Sequence, residues 1–141
     1  MQLLRSARAL TVLGALLGAV ACDDDDAGTG PTRAEVAGTY EATTFTATSG
    51  AVTQDILRAG GSLTLRLLDR SILTGHIAVP AQGVDQDLIG TWSLRGNTVD
   101  IDDVPGADTF LEDLELDVRG NTLVGDRVFD GVRVQVVMAK Q

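Results

Sequence analysis

From about residue 34 onward, apolar and polar residues alternate with a period of two. SLTLRLLD places Leu63, Leu65 and Leu67 on one face and Thr64, Arg66 and Leu68 on the other. GVRVQVVMAK sets Val132, Val134, Val136 and Met138 against Arg133, Gln135 and Val137. TFLEDLELDVR is rougher, with Leu114, Leu116 and Val118 opposed by Asp113, Glu115, Asp117 and Arg119. Successive side chains leave a strand on opposite sides, so this alternation marks antiparallel strands with one face on a core and one in water. It predicts strands over 38–47, 62–69, 72–79, 88–95, 98–103, 109–119, 122–129 and 132–139. Only TQDILRA, 53–59, reads as a turn or two of helix.

Turn chemistry separates these strands. RGNT occurs at 95–98 and again at 119–122, and Asp130-Gly131 suits a type I′ turn, whose two central residues both need positive φ. Asp69-Arg70-Ser71 marks a further hairpin. Strands joined mainly by tight turns predict an all-β fold, an up-and-down antiparallel barrel of eight strands, and closure of the barrel removes aggregation-prone edges. A two-sheet β-sandwich is the alternative. Gly75, Gly90 and Gly125, inside strands, favour the barrel because glycine permits its sharp bends. The interior is then Leu63, Leu65, Leu67, Trp92, Leu94, Val99, Leu114, Leu116, Val132, Val134 and Val136.

The N-terminal pattern is different. MQLLRSAR carries Arg5 and Arg8, Ala9 to Ala21 carries no charge, and Cys22 is followed by Asp23–Asp26. A positive start, an apolar centre and small residues before a cut site make an export signal. The apolar run is short of the roughly 20 residues that a membrane-crossing helix needs. Cys22 is the single cysteine, so an internal disulfide is impossible. Residues 23–33, DDDDAGTGPTR, lack apolar periodicity and read as a flexible acidic tether. The predicted organisation is therefore a signal peptide over 1–21, Cys22 and its tether over 22–33, and one β-barrel domain over 34–141.

Ala19-Val20-Ala21-Cys22 resembles the lipobox of bacterial lipoproteins, with Ala19 where that family most often has Leu. The resemblance implies that Cys22 carries diacylglycerol, that cleavage precedes it, and that its new amine receives a further acyl chain of the palmitate type. One acyl chain holds a protein marginally, whereas several hold it firmly. The implied location is the bacterial cell envelope, with the domain outside the cytoplasm and a lipid bilayer as partner. Asp23 after the cysteine resembles an inner-membrane retention signal in some enteric bacteria. It lacks that meaning in other groups, so the inner and outer membranes are not distinguished.

Charge narrows the partners. The formal charge of −9 becomes −11 without residues 1–21, which hold two arginines and no acid. Nucleic acid and anionic head groups should both repel a surface with that net charge.

Two strand starts carry a second resemblance. Val36-Ala37-Gly38-Thr39-Tyr40 opens the first strand and Ile89-Gly90-Thr91-Trp92-Ser93-Leu94 the fourth. With AGGSLTLRL and the two Gly-Asn-Thr turns, they resemble the lipocalin-like domains of small bacterial lipoproteins over about 38–139. The resemblance implies that an aromatic side chain, Tyr40 here, plugs the base of the barrel. It also implies a last-strand arginine over that aromatic, for which Arg133 is the nearest candidate, although alternation points Arg133 away from the core.

Catalytic chemistry is sparse. His76 is the single histidine and shares a strand face with Thr74 and Ala78, and no serine lies in a Gly-x-Ser-x-Gly setting. The sequence implies no enzyme and no cofactor. Asp100 and Asp102, two apart, are placed to converge with Asp113 or Glu115 across a hairpin, and grouped oxygen ligands suit Ca²⁺. Without the EF-hand spacing, the same acids also serve as a solvated face. The functions that fit are a membrane-anchored, non-catalytic scaffold with an envelope protein as partner, or carriage of a small apolar molecule inside the barrel. A filled interior favours the first and an open cup the second.

Overall fold

Among the described residues the first regular element is a four-residue helix, α1, Arg33–Val36. The computed structural model describes residues 29–105 and 110–141. The 1–21 segment, Cys22, Asp23–Asp26 and Asp108 lie outside them. A capping box starts α1: the Thr32 hydroxyl accepts from the Glu35 amide, and the Glu35 carboxylate accepts from the Thr32 amide at 2.7 Å.

Nine strands follow among the described residues: β1 Gly38–Ser49, β2 Val52–Asp55, β3 Ser62–Leu67, β4 Ile72–Val79, β5 Val84–Arg95, β6 Thr98–Asp102, β7 Leu116–Arg119, β8 Thr122–Phe129 and β9 Val132–Lys140. From β3 to β9 each strand pairs antiparallel with the next, and β1 pairs with both β3 and β9. The result is a closed eight-stranded antiparallel barrel with β2 as an extra strand. The two-sheet sandwich is thereby set aside. β1 is the seam. Its first residues, Gly38–Glu41, pair with β3, its last, Thr46–Ser49, pair with β2, and its other edge pairs with β9 from Tyr40 to Ser49. A bulge at Thr43, between Ala42 and Thr44, bends β1 at mid-length, where an extra residue increases local twist.

The turns follow their chemistry. Gly50, Gly96 and Gly120 hold positive φ at the first central position of two-residue hairpins, as a type II′ turn requires. Asp130 and Gly131 are both at positive φ, the type I′ pattern. The strand glycines act less as hinges than as clearances. A methyl group on Gly75 would strike the Thr64 carbonyl oxygen, and one on Gly90 would lie 2.7 Å from that of Asp103.

Three expectations are corrected. TQDILRA is not helical: Val52–Asp55 pair with β1 as β2, and turns follow through Gly60. The strand expected over 109–119 is only Leu116–Arg119, because 110–113 form turns that fold Leu111 and Leu114 onto the core. β5 starts at Val84, four residues before the expected 88.

Inward alternation then fills the barrel. Tyr40, Leu63, Leu65, Leu67, Leu73, Ile77, Leu88, Trp92, Val99, Leu116, Leu123, Val136 and Met138 are each at most 1% exposed, and no polar or charged residue is buried among the described residues. Leu94 and Val132, expected inside, lie half-buried near strand ends and pack against the edge of this cluster.

Candidate functional site

Antiparallel connection gives the barrel two ends. The base end carries α1, the turns at 68–71, 96–97 and 120–121, and the C-terminal residues. The far end carries the turns at 50–51 and 130–131, the 3₁₀ turn Pro80–Gln82, and the connection from β6 to β7.

α1 closes the base. Its Val36 is 1% exposed, and the Val36 carbonyl accepts the Tyr40 hydroxyl at 2.7 Å. Burial raises the Tyr40 phenol above its ordinary pKa, because the phenolate would lose its hydration. The Trp92 indole N–H donates to the Leu68 carbonyl at 2.8 Å, which fixes the 68–71 turn under the same end. The Arg33 guanidinium lies 5.2 Å from the centre of the Trp92 ring and donates to the Ser71 hydroxyl. A cation at that distance from the ring gains a charge–quadrupole attraction.

The cation over Tyr40 is not Arg133. Lys140, near the chain's C-terminus, places its Nζ 5.9 Å from the Tyr40 ring and donates to the Glu35 carbonyl at 2.7 Å. Arg133 faces outward, as alternation predicted, and makes a forked pair with the Asp126 carboxylate. That hydrogen bond, with the Gln135 amide, holds the Asp126 carboxyl below its ordinary pKa.

The described residues of the β6–β7 connection, 103–105 and 110–115, cover the far end. Val104, Leu111 and Leu114 are buried there. Phe110 lies between Phe45, 5.7 Å centre to centre, and Phe129, 6.0 Å. Such tilted and edge contacts favour aromatic rings. The Val104 amide donates to the Glu112 carboxylate at 2.8 Å across the loop.

The interior between the two closures is packed. A cup able to admit a ligand would leave its walls open to a water-sized probe, and the inward residues of β3, β4 and β5 are nearly inaccessible even to that. Among the described residues, two grooves lie outside the barrel. One groove of about 530 Å³ runs beside α1 and the 68–71 turn, lined by Ala34, Ala37, Arg66, Leu68, Arg70 and Ile72 among others. Another, of about 550 Å³, lies where Thr29–Pro31 meet Asn97, Gly120 and Asn121.

The proposed calcium ligands do not converge. Asp100 accepts from Arg95 at 2.6 and 2.7 Å through both carboxylate oxygens, a bidentate pair that keeps its carboxyl below the ordinary pKa. Asp102, Asp113 and Glu115 are exposed. Among the described residues no group of three or more His, Cys, Asp or Glu side chains is placed to hold a metal ion.

His76 is 41% exposed on the outer face of β4, between two carboxylates of β5: Nε2 is 3.2 Å from Asp85 and Nδ1 is 3.0 Å from Asp87. The β4–β5 register pairs His76 directly with Asp87. Both ring nitrogens of His76 therefore face a carboxylate oxygen.

Three functional placements escape the alternation pattern: Arg33 on Trp92, Lys140 on Tyr40, and the flanking of His76. The first had one local signal, the Thr32-x-x-Glu35 capping box that starts a helix. Comparison with protein-family models, curated proteins and solved structures gives no match.

Proposed function

We propose that the chain is a lipid-anchored protein of the bacterial cell envelope that presents its barrel outside the cytoplasm as a non-catalytic scaffold or protein-interaction module. The anchor rests on the order of features in residues 1–22: positive start, apolar centre, Ala-Val-Ala and a lone cysteine. The module rests on one observation, an interior filled by its own side chains with both ends covered. A barrel of this kind offers its outer surface, not its inside, to a partner. The resemblance to lipocalin-like lipoprotein domains accords with this reading at the level of architecture, and a fold by itself assigns no ligand.

Intact-mass analysis of the membrane fraction tests the anchor. The expected mass is that of residues 22–141 plus diacylglycerol and an acyl chain on Cys22. A chain that retains Met1, or one cut elsewhere with a free thiol, refutes it. Cys22→Ser should release the protein or leave its precursor uncut. Native mass spectrometry of the purified barrel tests the module: a co-purifying apolar molecule of fixed mass would replace the scaffold reading with carriage. Cross-linking in intact envelopes should yield a discrete protein adduct.

A further inference from the structure

The charges of the barrel are unevenly distributed. Arg33, Arg66, Arg70, Arg95, Arg119 and Lys140 lie toward the base with Glu35, Glu41, Asp69 and Asp117, whereas Asp85, Asp87, Asp103, Glu112, Asp113, Asp126 and Asp130 lie toward the far end with Arg127 and Arg133. Five of the base cations are exposed; Arg95 and Arg119 pair with Asp100 and Asp117, which leaves Arg33, Arg66 and Arg70. Among the described residues none of the three has a carboxylate within ion-pair distance.

These three border one facet. Arg66 pairs across β3–β4 with Thr74, and Thr74 pairs across β4–β5 with Ile89. Ile72, one outward row nearer the base, pairs with Thr91. Ile72 and Ile89 are 42% and 66% exposed, on the outer face of the sheet. Arg70 enters from the adjoining turn and shares the groove beside α1 with Arg66 and Ile72, and Arg33 reaches Ser71 at the same turn. Asp69, Glu41, Asp87 and Asp102 bound the facet without pairing to its arginines, and Asp87 faces His76 instead. Cations ringed around exposed aliphatic side chains suit the head-group boundary of a bilayer, where phosphates meet the first methylenes.

The path of the chain leads to the same end of the barrel. Thr29–Pro31 lie at the base, against the turns at 96–97 and 120–121. Cys22 is seven residues before Thr29, a span of at most about 25 Å of extended chain. We infer that the facet formed by Arg33, Arg66, Arg70, Ile72 and Ile89 lies against the anionic phospholipid head groups of the membrane that holds Cys22. This rests on the anchored reading above. It also refines the expectation of simple repulsion: the net charge repels at long range, while within a screening length of about 8 Å the local arginines decide. The acidic far end is then turned outward.

The test uses the mature chain from Cys22, coupled through the Cys22 thiol to a maleimide lipid, so that it works whatever the cell attaches there. Amide hydrogen exchange is followed on vesicles of phosphatidylglycerol with phosphatidylethanolamine, and on phosphatidylcholine vesicles. Protection of residues 66–74 and 87–91 on the anionic vesicles alone, lost at high salt, is the expected result. With the thiol blocked and uncoupled, Arg66→Gln with Arg70→Gln should weaken partition onto the anionic vesicles by about 25-fold, at about fivefold per cation. Both are exposed positions, and an unchanged urea melt shows that the variant is folded. Equal protection on both lipids, or none on either, overturns the inference while leaving the anchor to the mass measurement. Protection already present without vesicles and lost in Asp23–Asp26→Asn would make the chain's own aspartate run the occupant, and would equally overturn it.

Discussion

The Tyr40 hydroxyl donates to the Val36 carbonyl at 2.7 Å, and both residues are 1% exposed. This one bond ties α1 to the first strand of the barrel and satisfies a carbonyl that has no other partner in the helix. Tyr40→Phe removes the donor but keeps the ring. The expected cost is about 1–3 kcal/mol, the penalty of a buried polar group left unpaired. Urea denaturation measures it, and faster amide exchange at Val36 and Ala37 locates it. A stability change near zero with unchanged exchange would show that α1 is held by other contacts.

Tyr40 is also the single tyrosine of the chain, so phenolate absorbance reports it alone. Its pKa in the fold is raised by burial. A raised folded value means that its contribution is complete below the unfolded value of about 10 and is lost as pH rises through the folded value. Alkaline titration should therefore show phenolate appearing together with unfolding, and Tyr40→Phe should flatten that loss of stability.

Trp92 is the largest fully buried side chain and the only tryptophan. Trp92→Ala should cost about 3–5 kcal/mol, because the cavity left behind adds to the lost transfer energy. Trp92→Phe should cost less, the main loss being the hydrogen bond to the Leu68 carbonyl. Guanidinium melts followed by circular dichroism decide the order, and a Trp92→Ala cost below about 1 kcal/mol would contradict its place in the core.

Asp100 and Asp126 have carboxyl pKa values lowered chiefly by hydrogen bonds from Arg95 and Arg133. A lowered folded value gives stability that is present above the unfolded value near 4 and lost as pH falls through the folded value. Asp100→Asn with Asp126→Asn should therefore lower the melting temperature at pH 7 and narrow its difference from the wild type at about pH 2. A difference that stays constant across that range would assign the effect to packing.

Two glycine substitutions should separate backbone from side-chain clearance. An added methyl at Gly75 meets the Thr64 carbonyl across the β3–β4 pair, which cannot move without breaking the ladder. At Gly125 the obstruction is the end of the Leu114 side chain, 2.8 Å away. Gly75→Ala should destabilise by about 1–3 kcal/mol and Gly125→Ala by less, since a leucine can change rotamer. Thermal melts of the two variants test the order.

The parts of the fold legible in the sequence were those where one face is buried and the other wet. β3 and β9 show this most clearly, with Leu63, Leu65 and Leu67 and with Val134, Val136 and Met138 all inward. β2 was hidden because all four of its residues are exposed, so burial leaves no trace in their polarity. The β6–β7 connection misled in the opposite sense. Its Leu111 and Leu114 are buried by turns, and Leu114 happens to fall in phase with the true strand at Leu116. The base contacts of Arg33 and Lys140 join residues far apart in the chain, and periodicity carries no information about such pairs. The bidentate hold of Arg95 on Asp100 was likewise invisible to a count of acids.

Because β1 is completed along its whole far edge by β9, nine residue pairs join the first strand of the barrel to the last. Contacts so distant along the chain form late, since loop closure must precede their reward. A ribosome delivers residues in order, and the seam cannot be sewn to its last pair until Lys140 has emerged. Every shorter product exposes the long β1 edge, and the aliphatic faces meant for the interior, to whatever holds unfolded chains. Closure of this domain is thus timed by β9: the barrel becomes a closed body only once that strand is in place.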